Sequence, residues 1–357
     1  MKVLNGVVVL VVAILLVACH ERGVEEKGPD KTIAEKVDDN LKDTTVVYDS
    51  ARYHVINDKI VENPNDPQNY YDRGYYYFFN SRFEKAINDM NTAIKIDSNN
   101  AEYHYARGVM LQSAVKLEEA EKSFKKALEI NPNLKEAHLF IAKTHFALKN
   151  YKIARQRVSE ALKVDVHYAE AYFLRGMIYE EIGDSGAALS SFKTATEQDP
   201  EYFSAFNSMG VLYAAAHNDK AIQAYNTAIS IEPYTGRGKQ ARYNLGVFYQ
   251  QEERFEEAYE TYIQLINVDS LYSLAYYNIG YMMLYNDTSY QEATEYFMKS
   301  VYFQPGSYLA SAYLHIGYAN ELQYKYDLAR KYYREALEVD DQFDLAAKSL
   351  NRVLNKK

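Results

Sequence analysis

Ala101-Glu-Tyr-His-Tyr-Ala-Arg-Gly108-Val-Met-Leu-Gln-Ser-Ala-Val-Lys-Leu-Glu-Glu-Ala120-Glu-Lys-Ser-Phe124-Lys-Lys-Ala127-Leu-Glu-Ile-Asn-Pro132-Asn-Leu134 is one unit of a repeating chain. Its small residues Gly108, Ala120 and Ala127 alternate with large apolar ones, and Pro132 closes it. The glycine recurs at Gly74, Gly108, Gly176, Gly210, Gly246, Gly280 and Gly317, at intervals of 34, 68, 34, 36, 34 and 37 residues. Ala142 stands midway in the double interval. Ala120 has counterparts at Ala86, Ala154, Ala188, Ala221, Ala258, Ala293 and Ala329. Phe124 has counterparts at Met90, Val158, Phe192, Tyr225, Tyr262, Phe297 and Tyr333. A fixed period of this length is the signature of a stacked repeat architecture.

The spacing resembles the tetratricopeptide repeat (TPR) family, in which an aromatic, Leu-Gly-x-x-Tyr, Ala-x-x-x-Phe-x-x-Ala and Pro recur every 34 residues. The resemblance implies an all-α fold: a right-handed TPR α-solenoid of about eight helix-turn-helix repeats across residues 67–343. Residues 46–66 and 344–357 are expected to be N- and C-terminal capping helices. Each repeat is expected to be two antiparallel helices, with Gly74 and Ala86 where their backbones come closest. Tyr70, Tyr172, Tyr276 and Tyr313 take the slot where the family often has Trp, a residue this chain lacks. Two segments depart from the period. Residues 234–239 read as a turn about three residues longer than usual, and residues 286–289 carry one extra.

The N-terminus reads as an address. A single Lys2 precedes thirteen apolar residues, Gly6 to Ala18. At ~1.5 Å per residue they reach about 20 Å, short of a ~30 Å hydrocarbon core. Leu16-Val17-Ala18-Cys19 resembles a bacterial lipobox, which implies a signal peptide over 1–18 and acylation of Cys19. Cys19 is the sole cysteine, so no intramolecular disulfide and no Cys-rich zinc site is expected. Two or more acyl chains anchor stably where one does not. His20 stands where an Asp would imply inner-membrane retention, so the expected address is the outer membrane, facing the periplasm. Residues 19–45 are rich in charge, hold no Phe, Tyr or Trp and read as a tether.

Composition limits the function. The net charge is −9, so a nucleic-acid partner is not expected. The eight histidines form no His-Glu-x-x-His; His104, His138 and His145 fall in aromatic slots and read as packing residues. Gly236-Arg237-Gly238-Lys239 is followed by Gln240, where a phosphate loop needs Ser or Thr. No catalytic or metal-binding constellation stands out, and neither an enzyme nor a cofactor is expected.

In the family the first helix of each repeat lines a groove. Carried onto this chain, the lining includes Tyr71, Tyr75, Phe78, Tyr105, Lys143, Tyr243, Tyr277, Tyr281 and Tyr318, the expected partner-binding residues. The chain has 36 Tyr, and tyrosine offers a large rigid face with a polar tip. The carboxylate clamp of some family members is absent, since Tyr71 and Tyr75 hold its first-repeat positions. The expected function is a lipid-anchored adaptor that binds peptide segments of cell-envelope proteins. The alternatives are a self-associating structural solenoid and a glycan- or small-ligand-binding lipoprotein.

Overall fold

The computed structural model describes residues 45–303 and 308–356. Cys19, the signal peptide, the tether up to residue 44, and Pro305-Gly306 lie outside the described residues. The described chain consists of eighteen helices and no strand, and it divides into two units between Gln198 and Asp199.

The first unit holds α1 (Thr45–Glu62), α2 (Pro67–Phe79), α3 (Phe83–Ile96), α4 (Ala101–Ser113), α5 (Leu117–Ile130), α6 (Lys135–Ala147), α7 (Tyr151–Val164), α8 (Ala169–Glu181) and α9 (Ser185–Gln198). The second holds α10 (Phe203–Ala215), α11 (Lys220–Ile231), α12 (Gly236–Gln251), α13 (Phe255–Val268), α14 (Ser273–Tyr285), α15 (Tyr290–Tyr302), α16 (Leu309–Leu322), α17 (Tyr326–Val339) and α18 (Asp344–Val353). Within each unit, helices adjacent in sequence pack on each other, and first helices of successive repeats also touch, as α14 does α16.

Local sequence sets the helix ends. Asp66 and Asn100 cap α2 and α4 by accepting the backbone N–H of Gln68 and Glu102. Between the two helices of each repeat one residue adopts a left-handed conformation: Ser81, Val115, Lys149, Gly183, His217, Glu253, Thr288 and Tyr324. Gly183 alone meets that requirement without a Cβ.

Packing explains the period. Ala86, Ala120, Ala154 and their later counterparts are completely buried. A Cβ on Gly108 would lie 2.5 Å from the Phe124 ring, so the glycine is where that ring sits against the facing helix. Gly176 faces Phe192 and Gly246 faces Tyr262 in the same way. The partner of the glycine slot is thus the large side chain of the second helix.

The slot that often holds Trp has a second function. Tyr70 and Tyr276 donate their hydroxyls to the carbonyls of Pro64 and Ser270, each at 3.1 Å. His104 and His138 reach the equivalent carbonyls of Ser98 and Pro132 through Nε2, at 3.0 and 3.2 Å. A carbonyl only accepts, so Nε2 carries the proton in both rings. Their Nδ1 atoms are buried without a partner, and burial pushes both imidazoles below their usual pKa. These histidines are neutral packing residues.

The segment 234–239 is not a longer turn. Gly236, Arg237 and Gly238 form an added first turn of α12, which Thr235 caps by accepting Gly238 N–H at 3.1 Å. A Cβ on Gly238 would fall 1.5 Å from the Glu232 carbonyl oxygen, so this position requires glycine.

Candidate functional site

In the first unit the expected binding residues divide by burial. Tyr71 and Tyr105 are each 7% exposed and belong to the core. Tyr71 donates to Glu102 Oε1 at 3.0 Å, and burial raises its hydroxyl pKa far above the usual value. Tyr105 packs on Phe124 and Phe140. Lys143 is paired with Glu170 at 2.7 Å and lies over the Phe140 ring. Tyr75 and Phe78 are half-buried, with ring centroids 6.3 Å apart. One turn beyond Tyr75 on α2 stands Phe79, 71% exposed and 6.1 Å from the Tyr75 ring.

In the second unit the aromatic residues converge on His315 of α16. The rings of Tyr277, Tyr281 and Tyr285 from α14 lie 5.7, 5.6 and 5.9 Å from it, and Phe297 stacks on it at 5.4 Å. His315 Nδ1 lies 2.7 Å from the Ser311 carbonyl and therefore carries the proton. The Tyr277 hydroxyl, 3.2 Å away, shares that donor. Burial holds the imidazole below its usual pKa, which leaves it uncharged at neutral pH. Burial also pushes the Tyr277 and Tyr285 hydroxyls up to about 12, with neighbouring tyrosines adding to the shift.

Tyr281 and Tyr285 are the accessible rungs, 37% and 45% exposed, with centroids 4.5 Å apart. Tyr318 stands beside Tyr285 at 6.1 Å. Next to this group is an open cleft of about 270 Å³ lined by Tyr243, Val247, Gln250, Gln251 and Asn278. Asn278 donates to the Tyr262 hydroxyl at 2.9 Å and to Tyr243 at 3.4 Å. The Tyr262 hydroxyl donates in turn to Gln250 at 3.1 Å.

The structure therefore brings Tyr277 and Tyr281 together around His315, sets Tyr318 against Tyr285 and places Tyr243 at the cleft. It puts Tyr71 and Tyr105 inside the core. Sequence reasoning missed Phe79, Tyr285 and His315. Phe79 and Tyr285 fall four residues after Tyr75 and Tyr281, so continuing the helical spacing by one turn finds both. Among the described residues, no three His, Cys, Asp or Glu side chains stand together where they could hold a metal ion.

Models of the TPR repeat match residues 74–113, 101–134, 141–203, 239–270 and 310–354. This chain is a tetratricopeptide-repeat protein. Among solved structures it is similar to the C-terminal part of a TPR repeat-containing protein from Cytophaga hutchinsonii. That match has 15% identity and a TM-score of 0.53, covering 78% of this chain and 99% of the other. A tetratricopeptide repeat protein from Parabacteroides merdae is 18% identical, covers 71% of this chain and 99% of its own, and has a TM-score of 0.48. YrrB, described as a TPR protein with an unusual peptide-binding site, is 28% identical over 52% of this chain and 97% of its own, with a TM-score of 0.41. No curated protein matches this TPR protein. The Cytophaga likeness bears on the fold alone.

Proposed function

We propose that this TPR protein is an adaptor that binds a polypeptide segment through the first-helix surface of its second unit and is lipid-anchored in a bacterial cell envelope. One observation carries the binding reading: Tyr281 and Tyr285 stay exposed while the rings behind them are fixed. His315 meets both rings edge-on and is itself packed against Tyr277 and Phe297, and Tyr318 packs on Tyr285. Rigid, accessible tyrosines lose little side-chain freedom on binding and often dominate an interface.

The anchoring reading rests on Leu16-Val17-Ala18-Cys19 after the apolar run. No described helix is long and apolar enough to cross a membrane. Envelope proteins as partners follow from that address.

The test is a photo-crosslinking residue placed at Tyr285 and, as control, at exposed Lys122 of α5, in living cells. A discrete protein adduct at position 285 and none at 122 is the expected result. Adducts to a second copy of this chain would favour self-association instead. Equal labelling at both sites would remove the surface from consideration.

A further inference from the structure

The two units present chemically different first-helix surfaces. In the first unit the equivalent positions carry Glu102, Glu136, Lys143, Glu170 and Glu180. In the second unit the same positions hold one charged residue, Glu321, and it is already engaged. Its carboxylate receives Arg352 Nε and Nη2, each at 2.8 Å, and the Tyr333 hydroxyl at 2.7 Å, and Lys356 lies 3.6 Å away. His315 adds no charge at neutral pH. What remains is tyrosine, aliphatic, amide and serine side chains.

We infer that the surface made by Tyr243, Val247, Gln250, Asn278, Tyr281 and Tyr285 selects an uncharged, apolar-rich extended polypeptide segment. This rests on the peptide-binding reading above and names the class of segment. A charged side chain buried against this surface would lose its water and find no counter-charge, which is strongly unfavourable. Apolar side chains lose nothing comparable and cover the exposed rings. With the Asn278 NH2 given to Tyr262 and Tyr243 and the Gln250 oxygen taken by Tyr262, Asn278 keeps its oxygen to accept and Gln250 its NH2 to donate, which matches the N–H and C=O of an extended main chain.

Ring geometry favours a polypeptide over a sugar. The Tyr281 and Tyr285 rings meet at 44°, forming a notch for a side chain rather than one flat platform. Tyr243 and Tyr272 are likewise tilted, at 37°.

The experiment selects a displayed library of random peptides on the full chain, then measures the selected peptides by fluorescence anisotropy at about 50 mM and about 500 mM salt. The expected result is enrichment of uncharged, apolar-rich peptides whose affinity changes less than about twofold with salt. Tyr281→Ala with Tyr285→Ala should weaken them at least tenfold, about 1.4 kcal/mol, with the melting temperature unchanged. Val247→Glu should redirect the selection towards Lys- and Arg-bearing peptides. Enrichment of charged peptides on the native chain, with affinity falling about tenfold at high salt, would overturn the inference and leave peptide binding standing. If no peptide is enriched over the double-alanine variant, or a glycan panel binds through the same tyrosines, both readings fail.

Discussion

The hydroxyl of Tyr333 donates to Glu321 Oε2 at 2.7 Å, twelve residues earlier on the facing helix. Tyr262 and Gln250 repeat the relationship one repeat-pair earlier, at 3.1 Å. In the second repeat the same two slots hold Gln112 and Phe124. Gln112 is 9% exposed, and its Oε1 is buried without a partner, because a phenyl ring has no hydroxyl to offer. Phe124→Tyr should supply it and stabilise the protein by about 1 kcal/mol. Chemical denaturation of the two proteins measures the difference. No gain, or a loss, would show that the ring cannot bring its hydroxyl to Gln112.

The glycine slots should not be equally sensitive. A Cβ on Gly108 meets Phe124 at 2.5 Å, whereas on Gly280 it meets Phe297 at 3.1 Å. Gly108→Ala should destabilise by about 1–3 kcal/mol through overpacking. Gly280→Ala should be close to neutral, since helix propensity contributes about 1 kcal/mol in its favour. Hydrogen exchange should show the first change confined initially to α4 and α5, as repeats couple mainly to their neighbours.

Val115 is β-branched, sits at φ 62 and is 43% exposed. A left-handed conformation costs an L-residue roughly 1–2 kcal/mol. Val115→Gly removes that strain and loses part of the gain to unfolded-chain entropy, so the expected net stabilisation is about 0.5–1 kcal/mol. Thermal melting should show a higher midpoint, whereas a lower one would mean that Val115 makes an apolar contact worth more than the strain.

Acid should loosen the C-terminal end. Burial pushes the Glu321 carboxyl up, but the bonds from Arg352 and Tyr333 and the charges of Arg352 and Lys356 outweigh it, holding the pKa below the ordinary glutamate value. A depressed folded pKa contributes stability that is present above the unfolded value and lost as pH falls through the folded one. Stability should therefore decline below about pH 4.5, with α18 exchanging first. Arg352→Met should flatten that decline and cost about 1–3 kcal/mol at neutral pH. An unchanged acid profile in the variant would show that the pair does not set it.

Cys19→Ala tests the anchor. The variant should lack acylation, remain uncut before residue 19, and fail to partition into Triton X-114 as a diacylated protein. Normal N-terminal processing in the variant would remove the lipobox reading.

Much of the fold was legible because close contact admits few residue types. Gly108 opposite Phe124, and Ala120 with no exposed surface, leave a mark at fixed spacing. Features that depend on neighbouring helices were less visible. Tyr71 and Tyr105 read as groove residues from their own helices, and their burial arises from Glu102, Phe124 and Phe140 on other helices. Glu321 reads as a free groove carboxylate until Arg352 arrives from thirty-one residues away. The Gly-Arg-Gly text at 236–238 suggests a loop, yet the first turn of a helix needs no internal N–H partner and tolerates glycine when capped. Nothing in the period marks the division at Gln198. Tyr285 and Phe79 were missed because the family's lining positions end one residue before them, at Leu284 and Phe78.

The aromatic slot that hooks a preceding carbonyl also makes the molecule easy to instrument. Tyr70 and Tyr276 need only a ring with a hydrogen-bond donor at its far edge, and histidine does the same in two other repeats. An indole meets that description through its N–H. Since the chain has no tryptophan, Tyr276→Trp would install a single fluorophore at a defined joint between repeats, against a background of tyrosine emission alone. A set of such variants, one per joint, would let the melting of each repeat be watched separately by its own emission shift.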